Sequence, residues 1–153
     1  MKAPTTILVL FTLVSASISH RACAQDVLLL SNLEENSAGT LPIGKNSQLY
    51  QAFNTGRGLG GGPFPLHGWR LDWVQLLMGQ SSGSPEGFSV AIHRIDRDNS
   101  PGPRIGYLYG PDPLTAGVYT YVPYDVLSLV SQGAYQLVLT SDTLVENGAY
   151  SWS

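Results

Sequence analysis

Trp69-Arg70-Leu71-Asp72-Trp73-Val74-Gln75-Leu76-Leu77-Met78 decides the fold class of this chain. A strand sends successive side chains to opposite faces. Trp69, Leu71, Trp73, Gln75 and Leu77 therefore share one face, and Arg70, Asp72, Val74, Leu76 and Met78 share the other. The second face turns apolar toward its end, as a central strand does on passing deeper into a sandwich. Leu71, Val74 and Met78 also fit a helical stripe, but flanking glycines and the lack of capping residues argue against a helix.

Outward from this strand, apolar and β-branched runs alternate with turn-rich stretches, the spacing of an antiparallel sandwich. On the N-terminal side, Gly56 to Gly68 holds six glycines and two prolines, a composition no helix tolerates. Before it come strands at Val27–Ser31 and Gln48–Asn54, separated by the polar stretch Asn32–Asn46. On the C-terminal side, Ser81–Gly87 reads as a turn and Phe88–Arg94 as a strand, then Asp96–Pro103 as a compact turn. Short strands follow at Ile105–Tyr109 and Gly117–Val122, then a strand or helical turn at Val126–Val130 and a strand at Ala134–Thr140. A last one opens at Tyr150. The expected fold is an all-β antiparallel sandwich of about eight strands, jelly-roll-like or immunoglobulin-like.

The N-terminus reads as an export signal. Lys2 precedes the apolar run Ile7–Ile18, and Ala22-Cys23-Ala24 offers small residues for cleavage before Gln25. His20-Arg21 interrupts the run well short of the roughly 20 apolar residues a spanning helix needs. The expected division is a signal peptide at 1–24 and a single domain at 25–153, with no membrane span in the mature chain. An uncleaved anchor, or a lipoprotein modified at Cys23, is the weaker alternative. Cleavage removes Cys23, the one cysteine, so the mature domain has no disulfide, thiolate metal site or cysteine nucleophile. It also removes Lys2 and Arg21, leaving six of the 8 Lys+Arg against 11 Asp+Glu, a net charge of −5. With no basic stripe, nucleic acid and anionic membrane are unexpected partners.

Three catalytic-looking patterns fail on their context. Gly79-Gln80-Ser81-Ser82-Gly83 matches the G-x-S-x-G nucleophile elbow, but Ser84-Pro85-Glu86-Gly87 follows where a helix is required. No histidine occurs after His93 to serve Ser81 as base. Gly56–Gly61 contains G-x-G-x-x-G, yet Pro63 and Pro65 replace the phosphate-binding helix. Gly39–Lys45 spells G-x-x-x-x-G-K, with Asn46 where a P-loop has Ser or Thr. No catalytic residue and no cofactor are expected, and the protein reads as no enzyme.

Asp96-Arg97-Asp98-Asn99-Ser100 spaces oxygen ligands as Ca²⁺ prefers, but without the EF-hand glycine and glutamate, and it is equally a turn sequence. His67 and His93 lack a third zinc ligand. Tyr107, Tyr109, Tyr119, Tyr121 and Tyr124, with Trp69 and Trp73, suit carbohydrate through apolar faces and polar tips. In a sandwich most tyrosines straddle core and solvent, so no one of them stands out.

Several segments, in order, resemble one family. Ser31-Asn32-Leu33, Gln51-Ala52-Phe53-Asn54-Thr55-Gly56 and Val74-Gln75-Leu76-Leu77-Met78 resemble the opening of the choice-of-anchor R family of bacterial exported domains. The likeness continues through Gly83–Val90, Ser100-Pro101-Gly102, Gly110-Pro111-Asp112-Pro113, Ala116–Tyr121 and Tyr150-Ser151-Trp152. The resemblance implies a secreted or cell-surface domain with a β-sandwich fold, and it supplies no catalytic residues. Relatives often carry a Pro-Glu-Pro sorting segment and an apolar C-terminal helix. This sequence departs there, ending at Ser153. Two expectations follow: a chain secreted free, or a reading frame truncated ahead of its anchor with an unpaired final edge. The functional expectation is a non-enzymatic domain meeting a polysaccharide or surface protein outside the cell, with a carbohydrate-binding module as the alternative.

Overall fold

The computed structural model describes residues 40–56 and 69–153. The signal-peptide reading, the strand at Val27–Ser31, most of the Gly-rich loop and His67 lie outside the described residues. What is described is all-β, with ten strands: β1 Leu41–Ile43, β2 Leu49–Asn54, β3 Trp69–Leu71, β4 Val74–Gly83, β5 Ser89–Ile95, β6 Pro101–Tyr109, β7 Gly117–Pro123, β8 Leu127–Leu129, β9 Ala134–Thr140 and β10 Gly148–Trp152. No helix among the described residues is long and apolar enough to cross a membrane.

Eight strands form one antiparallel sheet in the order β1-β10-β4-β7-β6-β5-β9-β2. Its two halves meet at a short seam, where β6 and β7 share only the pairs Leu108↔Pro123 and Tyr109↔Val122. The sheet bends there, bringing β1-β10-β4-β7 over β6-β5-β9-β2. The outermost strands, β1 and β2, are consecutive in the chain and joined by a tight turn bridged at Gly44↔Ser47. The sandwich is therefore nearly closed. A two-stranded sheet, β3-β8, covers one opening of the core through the pairs Trp69↔Leu129, Arg70↔Ser128 and Leu71↔Leu127.

One core serves all these elements. Leu76 and Met78 of β4, Val90 and Ile92 of β5, Tyr121 of β7, Leu137 and Leu139 of β9 and Tyr150 of β10 are buried together, with Leu127 and Leu129 from β8. Phe88 packs against rings from both neighbours, 5.8 Å from Tyr121 and 4.9 Å from Tyr150 between centroids. Each such buried side chain contributes about 1.5–3 kcal/mol of transfer free energy. The core tyrosines satisfy their hydroxyls at its rim. Tyr121 donates to the Pro111 carbonyl at 3.0 Å and Tyr150 to the Pro85 carbonyl at 3.1 Å.

Five local readings change. Pro101-Gly102-Pro103, read as the end of a compact turn, opens β6, with Pro101 paired to Ile95. Trp69–Met78 is two strands in two sheets, broken at Asp72-Trp73, because the chain steps from the small sheet into the large one. Ser81–Gly83 belongs to β4, so the turn begins only at Ser84. Within the stretch read as polar, Leu41-Pro42-Ile43 forms β1, recruited by β10. The final strand is no open edge, since β10 pairs with β1 on one side and β4 on the other.

Candidate functional site

Strand β6 carries a bulge, and the bulge builds the site. Ile92 pairs with Gly106 while His93 pairs with Arg104, leaving Ile105 as an extra residue. Residues three apart in a regular strand face opposite ways. The extra residue returns Arg104 to the face of Tyr107, where its guanidinium lies 4.0 Å from the ring centroid and donates to the phenolic oxygen. Tyr107 is thus held in one orientation by a cation–π contact and a hydrogen bond.

Across from β6 runs the connection between β7 and β8. The Tyr124 amide donates to the Tyr107 carbonyl at 3.1 Å, after which the chain leaves β6 and arches through Asp125 and Val126. Leu127 then turns back into the core. It lies over Gly106, where a Cβ would meet its Cδ1 at 3.1 Å and its Cδ2 at 3.2 Å. An open groove of about 430 Å³ results, with buried Leu108 and Leu127 as its floor. Tyr107 and Tyr109 wall one side, and Tyr124, Asp125 and Val126 the other.

These walls are unusually wet for their composition. Tyr109 is 73% exposed, Tyr124 80% and Val126 82%, with Tyr107 at 48%. Neither Tyr109 nor Tyr124 makes a ring contact or side-chain hydrogen bond among the described residues. Clustered exposed apolar surface of this kind marks contact sites more often than chance. The structure thereby divides the aromatic set. Tyr107, Tyr109 and Tyr124 share the groove, while Tyr121 is core and Tyr119 is bonded to Thr115. Trp69 packs at the core edge with its indole N–H on the Gly56 carbonyl at 3.2 Å, and Trp73 stands apart, 40% exposed. Arg104 was invisible as a site residue because a bulge cannot be read from alternation alone, and Asp125 and Val126 because the path of the β7–β8 connection is not written in any local pattern.

The other candidates take structural positions. Ser81 sits on β4 with its hydroxyl donating to the Leu114 carbonyl at 2.7 Å. His93 places Nδ1 at 2.8 Å from the Gly102 carbonyl, so Nδ1 carries the hydrogen and ties β5 to β6. Asp98 caps the β5–β6 turn, accepting from the Ser100 hydroxyl at 2.6 Å and amide at 3.1 Å. Those hydrogen bonds hold its carboxyl below the usual acid range. Among the described residues, no three His, Cys, Asp or Glu side chains gather to hold a metal. Lys45 and Asn46 of the P-loop-like pattern form the β1–β2 turn, with the Lys45 amide on the Thr143 carbonyl and Asn46 Oδ1 accepting from the Val145 amide.

Compared with protein-family models, curated proteins and solved structures, the chain gives no match in any of the three. The functional reading therefore stands on the residues themselves.

Proposed function

We propose that this is an exported, non-enzymatic binding domain acting at a cell surface or in the extracellular matrix, with the Tyr107–Tyr109–Tyr124 groove as its contact face. The observation that carries the reading is the exposure of three tyrosines and Val126 around one groove. A strand and a connection that could have buried them hold them in water instead. Support for export comes from the N-terminal signal pattern and the resemblance to choice-of-anchor domains. Support for a non-catalytic role comes from Ser81 on β4 and His93 on β5, which lie on different strands, with the Ser81 hydroxyl and His93 Nδ1 each donating to a backbone carbonyl.

The full chain, produced with its own leader, is expected outside the cytoplasm with Gln25 at its N-terminus, read by mass spectrometry. That protein should be retained by fixed cells or extracted matrix of the organism that makes it. A Tyr109→Ala/Tyr124→Ala variant should lose retention while keeping its stability within about 0.5 kcal/mol, as surface substitutions do. Retention of the variant equal to the parent would overturn the assignment of the contact face.

A further inference from the structure

We infer that the groove takes a neutral polysaccharide chain, with Tyr109 and Tyr124 as stacking platforms and the Asp125 carboxylate as an acceptor for sugar hydroxyls. The inference rests on the contact face proposed above and adds the chemistry of its occupant.

Charge weighs against an anionic occupant. Asp125 lies in the groove wall, and the mature sequence carries a net −5 from six Lys+Arg and 11 Asp+Glu. The nearby cation, Arg104, lies outside the groove lining and over the neutral Tyr107 ring, where it keeps its charge. An anionic chain would meet the Asp125 carboxylate in the groove itself, whereas a neutral polyol offers donors to it. Charge-assisted hydrogen bonds of that kind are roughly twice as strong as neutral ones.

Shape and area point the same way. The groove is open rather than enclosed, and its exposed wall comprises Tyr107, Tyr109, Tyr124, Asp125 and Val126. Stable protein–protein interfaces engage about 20–30 residues a side, far more than this wall presents. A pyranose ring needs one aromatic face and a few hydrogen-bonding atoms, which is the scale of what is here. The phenol tips of Tyr109 and Tyr124, free of intramolecular bonds among the described residues, remain available to hydroxyls.

The test is migration of the full exported protein in native gels cast with soluble polysaccharides. The neutral set is mixed-linkage β-glucan, xylan, glucomannan, galactomannan and dextran; alginate and polygalacturonate form the anionic set. Retardation is expected in at least one neutral gel and in neither anionic gel. Tyr109→Ala and Tyr124→Ala should each weaken it at least about fivefold. Tyr124→Phe, which keeps the ring, should change it less than about twofold, and Asp125→Ala should weaken it severalfold. Retardation only in the anionic gels would overturn the neutral-chain inference, as would retardation indifferent to the tyrosine variants. No retardation in any gel, with cell retention still lost in Tyr109→Ala/Tyr124→Ala, would sink the polysaccharide and leave the contact face standing with a protein partner. Unchanged cell retention in that variant would remove both.

Discussion

Gly83 shows how a motif and its physical role can part company. In the G-x-S-x-G pattern it would be a glycine of a strained elbow beside a nucleophile. In the fold it ends β4 with φ +61°, in the left-handed region that favours glycine, and pairs with Gly148. A Cβ there would stand 2.7 Å from the Asn147 carbonyl oxygen and 2.8 Å from the Gly148 Cα, both backbone atoms that cannot swing away. Gly83→Ala should therefore cost about 1–3 kcal/mol, measured by urea unfolding. An unchanged midpoint would show that β4 and β10 part more easily than their register implies. The tyrosines illustrate the opposite case, where residue type was informative but position was not. Stacking chemistry was legible in Tyr107, Tyr109 and Tyr124, but so was it in Tyr119 and Tyr121. What separates them is long-range: Tyr119 and Tyr121 pack on the core beside Leu76 and Val74 of the neighbouring β4, whereas the others sit where β7 peels away from β6.

Parity is the lesson at the level of elements. Trp69 and Leu71 pack on the core from odd positions, then Val74, Leu76 and Met78 from even ones. A single straight strand cannot bury both sets on one face, because a one-residue shift moves every side chain across the sheet. The parity change between Leu71 and Val74 was present in the sequence and marks the step at Asp72-Trp73 from one sheet to the other. β1 left no such mark. Its three residues become a strand only because β10 offers them a partner, which no local pattern encodes. β3 and β8 are equally short, and three-residue strands are marginal alone. Their stability comes from Leu127 and Leu129, buried in the main core. Leu129→Ala should accordingly cost about 2–5 kcal/mol, the range for a large-to-small change in a packed core. A loss below about 1 kcal/mol in thermal or urea unfolding would mean that the small sheet is a surface ribbon.

For the whole molecule, the sandwich expected from alternation is present, and buried tyrosines fill much of its core. Tyr121 and Tyr150 fill the space between the two halves of the sheet, each reaching a loop carbonyl at the rim. Their burial has a consequence at alkaline pH. Loss of water around the phenol, and after it the negative charge of Asp112, push Tyr150 from the usual 10.0 up to about 12 and raise Tyr121 further. The folded state thus keeps two protons that the unfolded chain releases near pH 10. Their stabilising contribution is complete below that pH and is lost as pH rises from 10 through the folded values. The slope should reach about 1.4 kcal/mol per pH unit for each group. Urea midpoints should therefore hold steady from pH 7 to about 9.5 and fall steeply between about 10 and 12. Tyr150→Phe strands the Pro85 carbonyl, costing about 1 kcal/mol near neutrality, yet should roughly halve the alkaline slope. The parent and variant curves must then converge as pH rises. Parallel curves would show that Tyr150 ionises alike in both states, and that the two halves of the sandwich admit water between them.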